Sequence, residues 1–547
     1  MYKIEGKEMR SPKTSSIKKQ LIPFVLFPMI TGFFTGVLIF LFKLSASFVI
    51  RWSERIYAFV RENPKYLPIM ILGAAAIGAV SSLILKYARE CRGGGIPTAV
   101  ASIRGLIPLK WIQGVFVLFG SALLTFFVGV PLGNEGPSVQ MGAGAGKGSA
   151  SFAKKTKLAW ERYLMTGGAS SGFAIATGAP LTGIIFALEE AHRRFSTTLF
   201  IVASSSVLWG TVTHRYLSYF FGVDTTFFDL TISQVLPMRY LWVAIIIGAV
   251  SGLCSLLFTK IYRIVSAISK TKLGKIPFNL QLVVTFAITA LLGFLSVNFV
   301  GTGHSLIEAI LHKKTVWYAL LLALVVRAVL MIFANSEGVT GGIFVPNLAF
   351  GAMIASLVSD GLIAAGIVEE EYYTILIVVG MASFLAASSR TPMTSIIFAA
   401  EALCVASNVM PVVFGVVVSY CIVEISGKIS FADAVIEARA EAVHEGKSPI
   451  IVNTFFTVQE DSFADGMEIR DILWPPTCTV LSIDRNLSNE HHQSSHELRS
   501  GDVVHLHYLT YDPDQTFATL SAILGEQSED ERTRTHLGSV DHIVPQD

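Results

Sequence analysis

The sequence has 547 residues, 52% of them hydrophobic and only 15% charged, against about 25% charged in soluble proteins. With a mean hydropathy of +0.58, this excludes a disordered chain, a coiled coil and an ordinary soluble enzyme. The net charge of +2 is unevenly divided: residues 441–547 hold 6 Lys/Arg against 19 Asp/Glu, a net −13, while residues 1–440 hold 36 against 21, a net +15. A basic, apolar membrane body is therefore expected to about residue 440, followed by an acidic soluble domain. Nothing in this balance favours nucleic acid as a partner. The five Cys form no CxxC pair, which argues against a disulfide framework and a zinc ribbon.

Residues 1–20 carry six Lys/Arg and only Glu5 and Glu8. They precede an apolar stretch, Leu21–Val49, too long for the apolar core of a cleaved signal peptide. Basic residues before a first span predict a cytoplasmic N-terminus. Apolar stretches recur near 67–87, 110–131, 163–188, 197–221, 241–259, 282–300, 316–334, 342–366, 373–387 and 393–425. Several are shorter than the roughly 20 residues of a uniform span or are broken by Gly and Pro.

Those interruptions repeat. Gly93-Gly-Gly95 returns as Gly301-Thr-Gly303, and Gly133-Asn-Glu-Gly-Pro137 as Gly342-Ile-Phe-Val-Pro346. Pro180-Leu-Thr-Gly-Ile-Ile-Phe-Ala-Leu-Glu189 returns as Pro392-Met-Thr-Ser-Ile-Ile-Phe-Ala-Ala-Glu401. The order is the same and the offset nearly constant, so the body reads as a duplicated unit, about 22–225 and 236–430. Duplicated membrane units place their sites at the repeat interface, built from broken helices. That is a carrier or channel pattern rather than an enzyme pattern.

Each break ends one half-helix and starts another. A helix start offers unpaired N–H groups and partial positive charge, so several starts meeting at mid-depth suit a small anion. Close helix packing is the other use of such glycines. Glu135 lies within the Gly-Asn-Glu-Gly-Pro break, where a carboxylate is costly unless hydrated, paired or protonated. As a carboxylate it can stand in the anion's place; protonated, it can leave and admit the anion. The alternative is a simple capping carboxylate. Glu189 and Glu190 close the next run, before His192, Arg193 and Arg194. They are candidate proton acceptors, or else partners in a salt bridge with those arginines. His492 and His496 stand at helical spacing, but in polar, loop-like surroundings without a partnering Cys, and no metal site or cofactor is expected. The chain carries no nucleotide-binding or nucleophile motif, and no enzyme activity is expected.

Gly93-Gly-Gly-Ile-Pro97, Gly133-Asn-Glu-Gly-Pro137, Gly342-Ile-Phe-Val-Pro346 and the Pro180–Glu190 helix resemble, in order and spacing, the motifs of the CLC family of chloride channels and chloride–proton antiporters. The resemblance covers about 22–435. It implies an all-α polytopic membrane protein with the CLC-type inverted repeat of broken, tilted helices. It also implies a homodimer with one anion pathway per subunit. Glu135 would be the gating glutamate and Glu190 the internal proton glutamate. Backbone N–H groups of Ile343 and Phe344 would hold the central anion, with Gly94, Asn134, Gly136 and Phe431 at the other anion-binding positions. Three residues depart from the family pattern. Gly94 replaces a Ser and Asn134 a basic residue, and Phe431 replaces a Tyr. Both family hydroxyls on the anion are thus absent. Fluoride-exporting members also depart at the Ser position, typically with Met.

The tail resembles the RCK C-terminal (TrkA-C) domain over about 450–525. Thr477–Ile483 and Val503–Tyr508 alternate like half-buried strands around a Ser500-Gly-Asp502 turn. A small cytosolic α+β domain is expected there, serving dimerisation, regulation or a small-molecule ligand, with a disordered end at about 527–547. The domain plan is thus a basic segment 1–20, a transport body 21–440, the TrkA-C-like domain and the tail. The expected function is proton-coupled antiport of chloride or a similar small anion in the plasma membrane. The alternatives are a passive voltage- or pH-gated channel, a fluoride–proton antiporter, or a transport-dead sensor.

Overall fold

The computed structural model describes residues 12–152, 157–223, 227–228, 234–271, 276–312, 315–444, 446–485, 488–490, 496–527 and 536–539. Residues 1–11 of the basic segment and His492 lie outside them.

The body is helical throughout, and its helices correspond in two series. The first is α1 (Pro12–Glu62), α2 (Leu67–Tyr87), α3 (Ile96–Ile103), α4 (Trp111–Val128), α5 (Glu135–Ser149), α6 (Lys157–Thr177), α7 (Pro180–Phe186) and α8 (Thr197–Phe221). The second is α9 (Leu241–Thr271), α10 (Phe278–Leu295), α11 (His304–Leu311), α12 (Trp317–Ser336), α13 (Phe344–Ala364), α14 (Tyr373–Ser389), α15 (Pro392–Ala402) and α16 (Val409–Ile425). Nine helical segments among the described residues are long and apolar enough to cross a membrane. The short ones, α3, α7, α11 and α15, start after Gly or at Pro and stop within one to three turns. Proline is well suited to a helix's first turn, where its missing N–H forfeits no bond.

The helices at the middle of the body are buried on nearly every side: all eight residues of α3 are buried, and all but one of the 17 of α14. The matching pairs also cross alike. A Cβ on Gly142 of α5 would overlap the Gly168 carbonyl of α6, and one on Gly351 of α13 would overlap that of Gly380 on α14. Such backbone contact is how small residues hold membrane helices together without a hydrophobic driving force.

α17 (Phe431–His444) leads out of the body. Ser430 caps it, accepting from the Asp433 N–H at 3.1 Å. The C-terminal region is a five-stranded sheet in the order β3-β2-β4-β1-β5, from β1 (Ile450–Thr457), β2 (Thr479–Arg485), β3 (Ser488–Glu490), β4 (Val503–Thr510) and β5 (His536–Ser539). Every pairing is antiparallel. Alternate residues Val504, Leu506 and Tyr508 are buried beneath α18 (Pro513–Leu524), as period-two patterning requires. Within the stretch expected to be disordered, His536–Ser539 pair with β1, because β1 otherwise leaves an open sheet edge.

The region docks through the loop 471–476. Arg162 donates to the carbonyls of Leu473 and Trp474, and Arg194 to that of Ile472. The Tyr163 hydroxyl donates to the Asp471 carbonyl at 2.5 Å and accepts from the Leu473 N–H at 3.1 Å. Phe463 packs on Phe24, Trp160 and Tyr163.

Candidate functional site

Three chain breaks meet at the centre of the body, before α3, α5 and α13. Gly133 and Gly342, which correspond in the two repeats, pair antiparallel, each N–H donating to the other's carbonyl at 2.7 Å. The Gly341 N–H donates to the Gly94 carbonyl at 3.1 Å, and the Gly93 N–H to that of Gly338 at 2.7 Å. Gly136 lies where all three touch: a Cβ there would stand 2.5 Å from the Gly342 Cα and 2.7 Å from the Gly95 Cα. The N–H groups of Asn134, Glu135, Gly136, Ile343 and Phe344 meet no acceptor among the described residues. They are the free donors of two helix starts that face each other across the repeat.

Glu135 opens α5 and is fully buried. Its side chain folds back over Gly133, where an added Cβ would overlap Oε2. Neither carboxylate oxygen has a hydrogen-bond partner, so this group is not acting as an ordinary cap. His304, the first residue of α11, brings Nε2 to 3.9 Å from Oε1. Its ring packs on Phe227 and Phe228, with centroids 4.9 and 4.8 Å away. His304 was missed from sequence, although it directly follows Gly301-Thr-Gly303, one of the repeated breaks.

The other expected anion positions separate into two groups. Asn134 precedes α5, with its side-chain carbonyl oxygen buried and unpartnered. Ile343 and Phe344 are buried, and Phe344 packs against Phe173 and Phe398 at 5.1 and 5.0 Å. Gly94 contributes backbone only, because the space a side chain would take is filled by Leu118 and the Gln140 amide. Phe431 starts α17, fully buried, and belongs to a different aromatic group with Phe258 and Tyr262, each at 4.9 Å.

Glu189 and Glu190 follow α7 in one turn of wider, π-type helix, Ala187–Ala191, a distortion common at functional sites. The turn sends the two acids different ways. Glu189 accepts from the N–H groups of Met393 and Thr394 at 2.9 and 2.6 Å, and from the Thr394 hydroxyl at 2.6 Å. It caps α15. In return Glu401 accepts from the N–H groups of Leu181 and Thr182 and from the Thr182 hydroxyl, each at 2.9 Å, and caps α7. The salt bridge considered for the Glu pair is not formed by Glu189, and the arginines are engaged elsewhere. Arg193 is bidentate to Asp433 at 2.6 and 2.7 Å, and Arg194 holds the docking loop.

Glu190 has no such helix to cap and lies outside all nine candidate spans. Its side chain keeps partial exposure inside a dense ring of protein atoms. Burial first, and then repulsion from Glu189, push its carboxyl up to about 8, against the pull of Arg104 and Arg193. The Arg104 guanidinium holds the Glu190 and Ala191 carbonyls at 2.8 and 2.9 Å. No group of three or more metal-ligating side chains occurs among the described residues.

The family model described as voltage gated chloride channel matches residues 75–424. Among solved structures, the chain is similar to a slow cyanobacterial Cl-/H+ antiporter, at 21% identity, over 77% of this chain and 98% of that one, with a TM-score of 0.68. A eukaryotic CLC transporter matches at 18% identity, over 77% and 74%, with a TM-score of 0.63. A CLC-type fluoride/proton antiporter matches at 20%, over 73% and 95%, with a TM-score of 0.60. At these identities the structural likeness establishes the fold. With the family match spanning most of the body and its paired broken helices, the chain belongs to the voltage-gated chloride channel, or CLC, family.

Proposed function

We propose that the protein is a proton-coupled antiporter of chloride or a similar small anion, with Glu135 as gate and proton carrier and Glu190 as the internal proton glutamate. The observation that carries this reading is Glu135: a fully buried carboxylate without a hydrogen-bond partner, set where free N–H groups of two helix starts converge. A carboxylate so placed competes with an anion for the same donors. Protonation removes its claim on them, and the acid swings out as the anion enters. Glu190 then loads or unloads that proton from the side of the docking loop. Its raised carboxyl suits it to exchange near neutral pH. No enzyme chemistry and no cofactor belong to this reading. His304, 3.9 Å from the gate, is placed to meet Glu135 on its way out.

The passive channel is the second reading. It is favoured by Gly94 and Phe431, which offer the anion no hydroxyl. Purified protein in liposomes separates the two. Under an imposed chloride gradient, an antiporter drives protons uphill, whereas a channel passes anion current alone. A protein that does neither is a sensor. We place the protein in the plasma membrane as a homodimer with both termini cytoplasmic. In this reading the C-terminal region is a TrkA-C-like regulatory or dimerising domain.

A further inference from the structure

Between α10 and α12 runs a groove of about 460 Å³, within the size range of small-molecule sites. Its walls are Leu280, Val284 and Ile288 of α10 and Val325 and Val329 of α12, all exposed aliphatic side chains on helices of membrane length. Such walls are as apolar as lipid tails, so by themselves they call for nothing more than an acyl chain. One end of the groove is different. Glu337, the residue that ends α12, lines it. Glu337 is only 8% exposed, and its carboxylate accepts one hydrogen bond, at Oε2 from the Thr285 hydroxyl of α10. Oε1 has no partner among the described residues.

Away from the gate, other buried or partly buried carboxylates of the molecule are answered. Glu189 and Glu401 each take three hydrogen bonds from a helix start, and Asp433 and Asp502 each hold an arginine through two. The cations around Glu337 are engaged elsewhere. Arg92, whose Cβ would stand 3.0 Å from a Cβ on Gly338, lies over the Phe278 ring at 3.8 Å and donates to the Leu85 carbonyl at 3.2 Å. Arg327 of α12 is held by the carbonyls of Asn298, Val300 and Gly301, and Arg439 of α17 by that of Asn335. Burial pushes the Glu337 carboxyl up to about 7, against the pull of the Thr285 hydroxyl, and no charged group on the packed elements contributes.

The backbone adds to the same sign of charge. Glu337 is the C-cap of α12, where the helix's carbonyl end carries partial negative charge. Thr285 lies two turns into α10, past the first turn in which that helix's positive end is felt. A cation is therefore favoured at this end of the groove twice over, and an anion disfavoured twice over. We propose that the α10–α12 groove is a binding site for a lipophilic amine, whose hydrocarbon lies along α10 and α12 and whose ammonium group donates to Glu337 Oε1. An apolar cleft with one convergent charged group is the common form of a small-molecule site. The proposal goes beyond the transport reading and does not depend on it, since none of these residues belongs to the anion site or to the proton groups.

The test uses full-length protein purified in detergent, with uptake of decylamine, decanol and decanoate read by native mass spectrometry. Wild type should take up one decylamine per chain, at least about tenfold more tightly than decanol, the scale of a hydrogen bond to a charged group. Decanoate should bind more weakly than either. Glu337→Gln should bring decylamine down to the level of decanol, and Val284→Trp, which fills the groove, should exclude both. Decylamine affinity should rise as pH rises through about 7, because the carboxyl is neutral below that value while an alkylamine stays protonated to about 10. In Glu337→Gln this rise should be absent. Equal uptake of decylamine and decanol by wild type would mean that the groove holds only an acyl chain, and would overturn the proposal. So would a wild-type dimer that takes up no decylamine, its groove closed by the second copy, or unchanged decylamine binding in folded Glu337→Gln or Val284→Trp. If either variant fails to fold, the wild-type comparison of the three ligands and its pH profile still decide.

Discussion

The two repeats build the same backbone and put different chemistry on it. Gly133 and Gly342 correspond and pair with each other. Glu189 and Glu401 correspond, and each caps the other repeat's short helix with three hydrogen bonds. At the same offsets, however, Glu135 corresponds to Phe344 and Glu190 to Ala402. Residues alike in both halves hold the repeat together. The acids present in one half only, Glu135 and Glu190, are the two that cap no partner helix. In the proposed reading a single repeat supplies the proton groups while both supply the anion's donors, so proton and anion would not need to share their whole route.

Substitutions in each class test that division. Glu135→Gln mimics the protonated gate permanently, so proton pumping should vanish while anion flux persists and loses its pH dependence, as read in liposomes under an anion gradient. Continued pumping would remove Glu135 from the role. Glu190→Gln should also abolish proton movement while leaving some anion flux. In wild type, proton-coupled flux should fall as the pH on Glu190's side rises through about 8, because the carboxyl stays neutral below that value and no longer reloads above it. The variant should lack this decline. If Glu189→Gln uncouples transport and Glu190→Gln does not, the two acids have been assigned the wrong way round.

The symmetric pair should behave oppositely. Glu189→Ala and Glu401→Ala each strip one short helix of its cap, and each should lower stability by about 2 kcal/mol. Thermal unfolding in detergent would show similar losses for the two, with the proton-to-anion ratio of the surviving protein unchanged. Unequal losses would mean that the caps are not equivalent. The smallest effect is expected from Gly94→Ser. It restores one hydroxyl, but its Cβ must displace the Leu118 side chain. Chloride affinity by calorimetry should rise less than about tenfold, below the full value of a hydrogen bond to an ion. A fall in affinity would show that steric crowding at Leu118 outweighs the added donor.

Much of this was legible before any coordinates. Repeated Gly and Pro mark the broken helices because those residues restrict or free the backbone wherever they occur. Glu135 was conspicuous because a carboxylate in an apolar run needs a reason. The offset that aligned Glu189 with Glu401 already held the clue to their shared role, but not the direction of either side chain. Which acid of the pair caps a helix depends on a π-type turn, and that turn depends on contacts with residues some two hundred positions away.

The sequence by itself determined the membrane class, the duplication, the chain breaks and the presence of an acid, Glu135, inside one of them, since these follow from composition and local backbone preference. Only the tertiary structure decided that Gly133 meets Gly342, that His304 comes near Glu135, and that the loop 471–476 docks on Arg162, Tyr163 and Arg194. It alone shows that Arg439 lies on Gly93. These are meetings between segments far apart in the chain, set by packing and by where unpaired polar groups can be satisfied, and no local pattern encodes them.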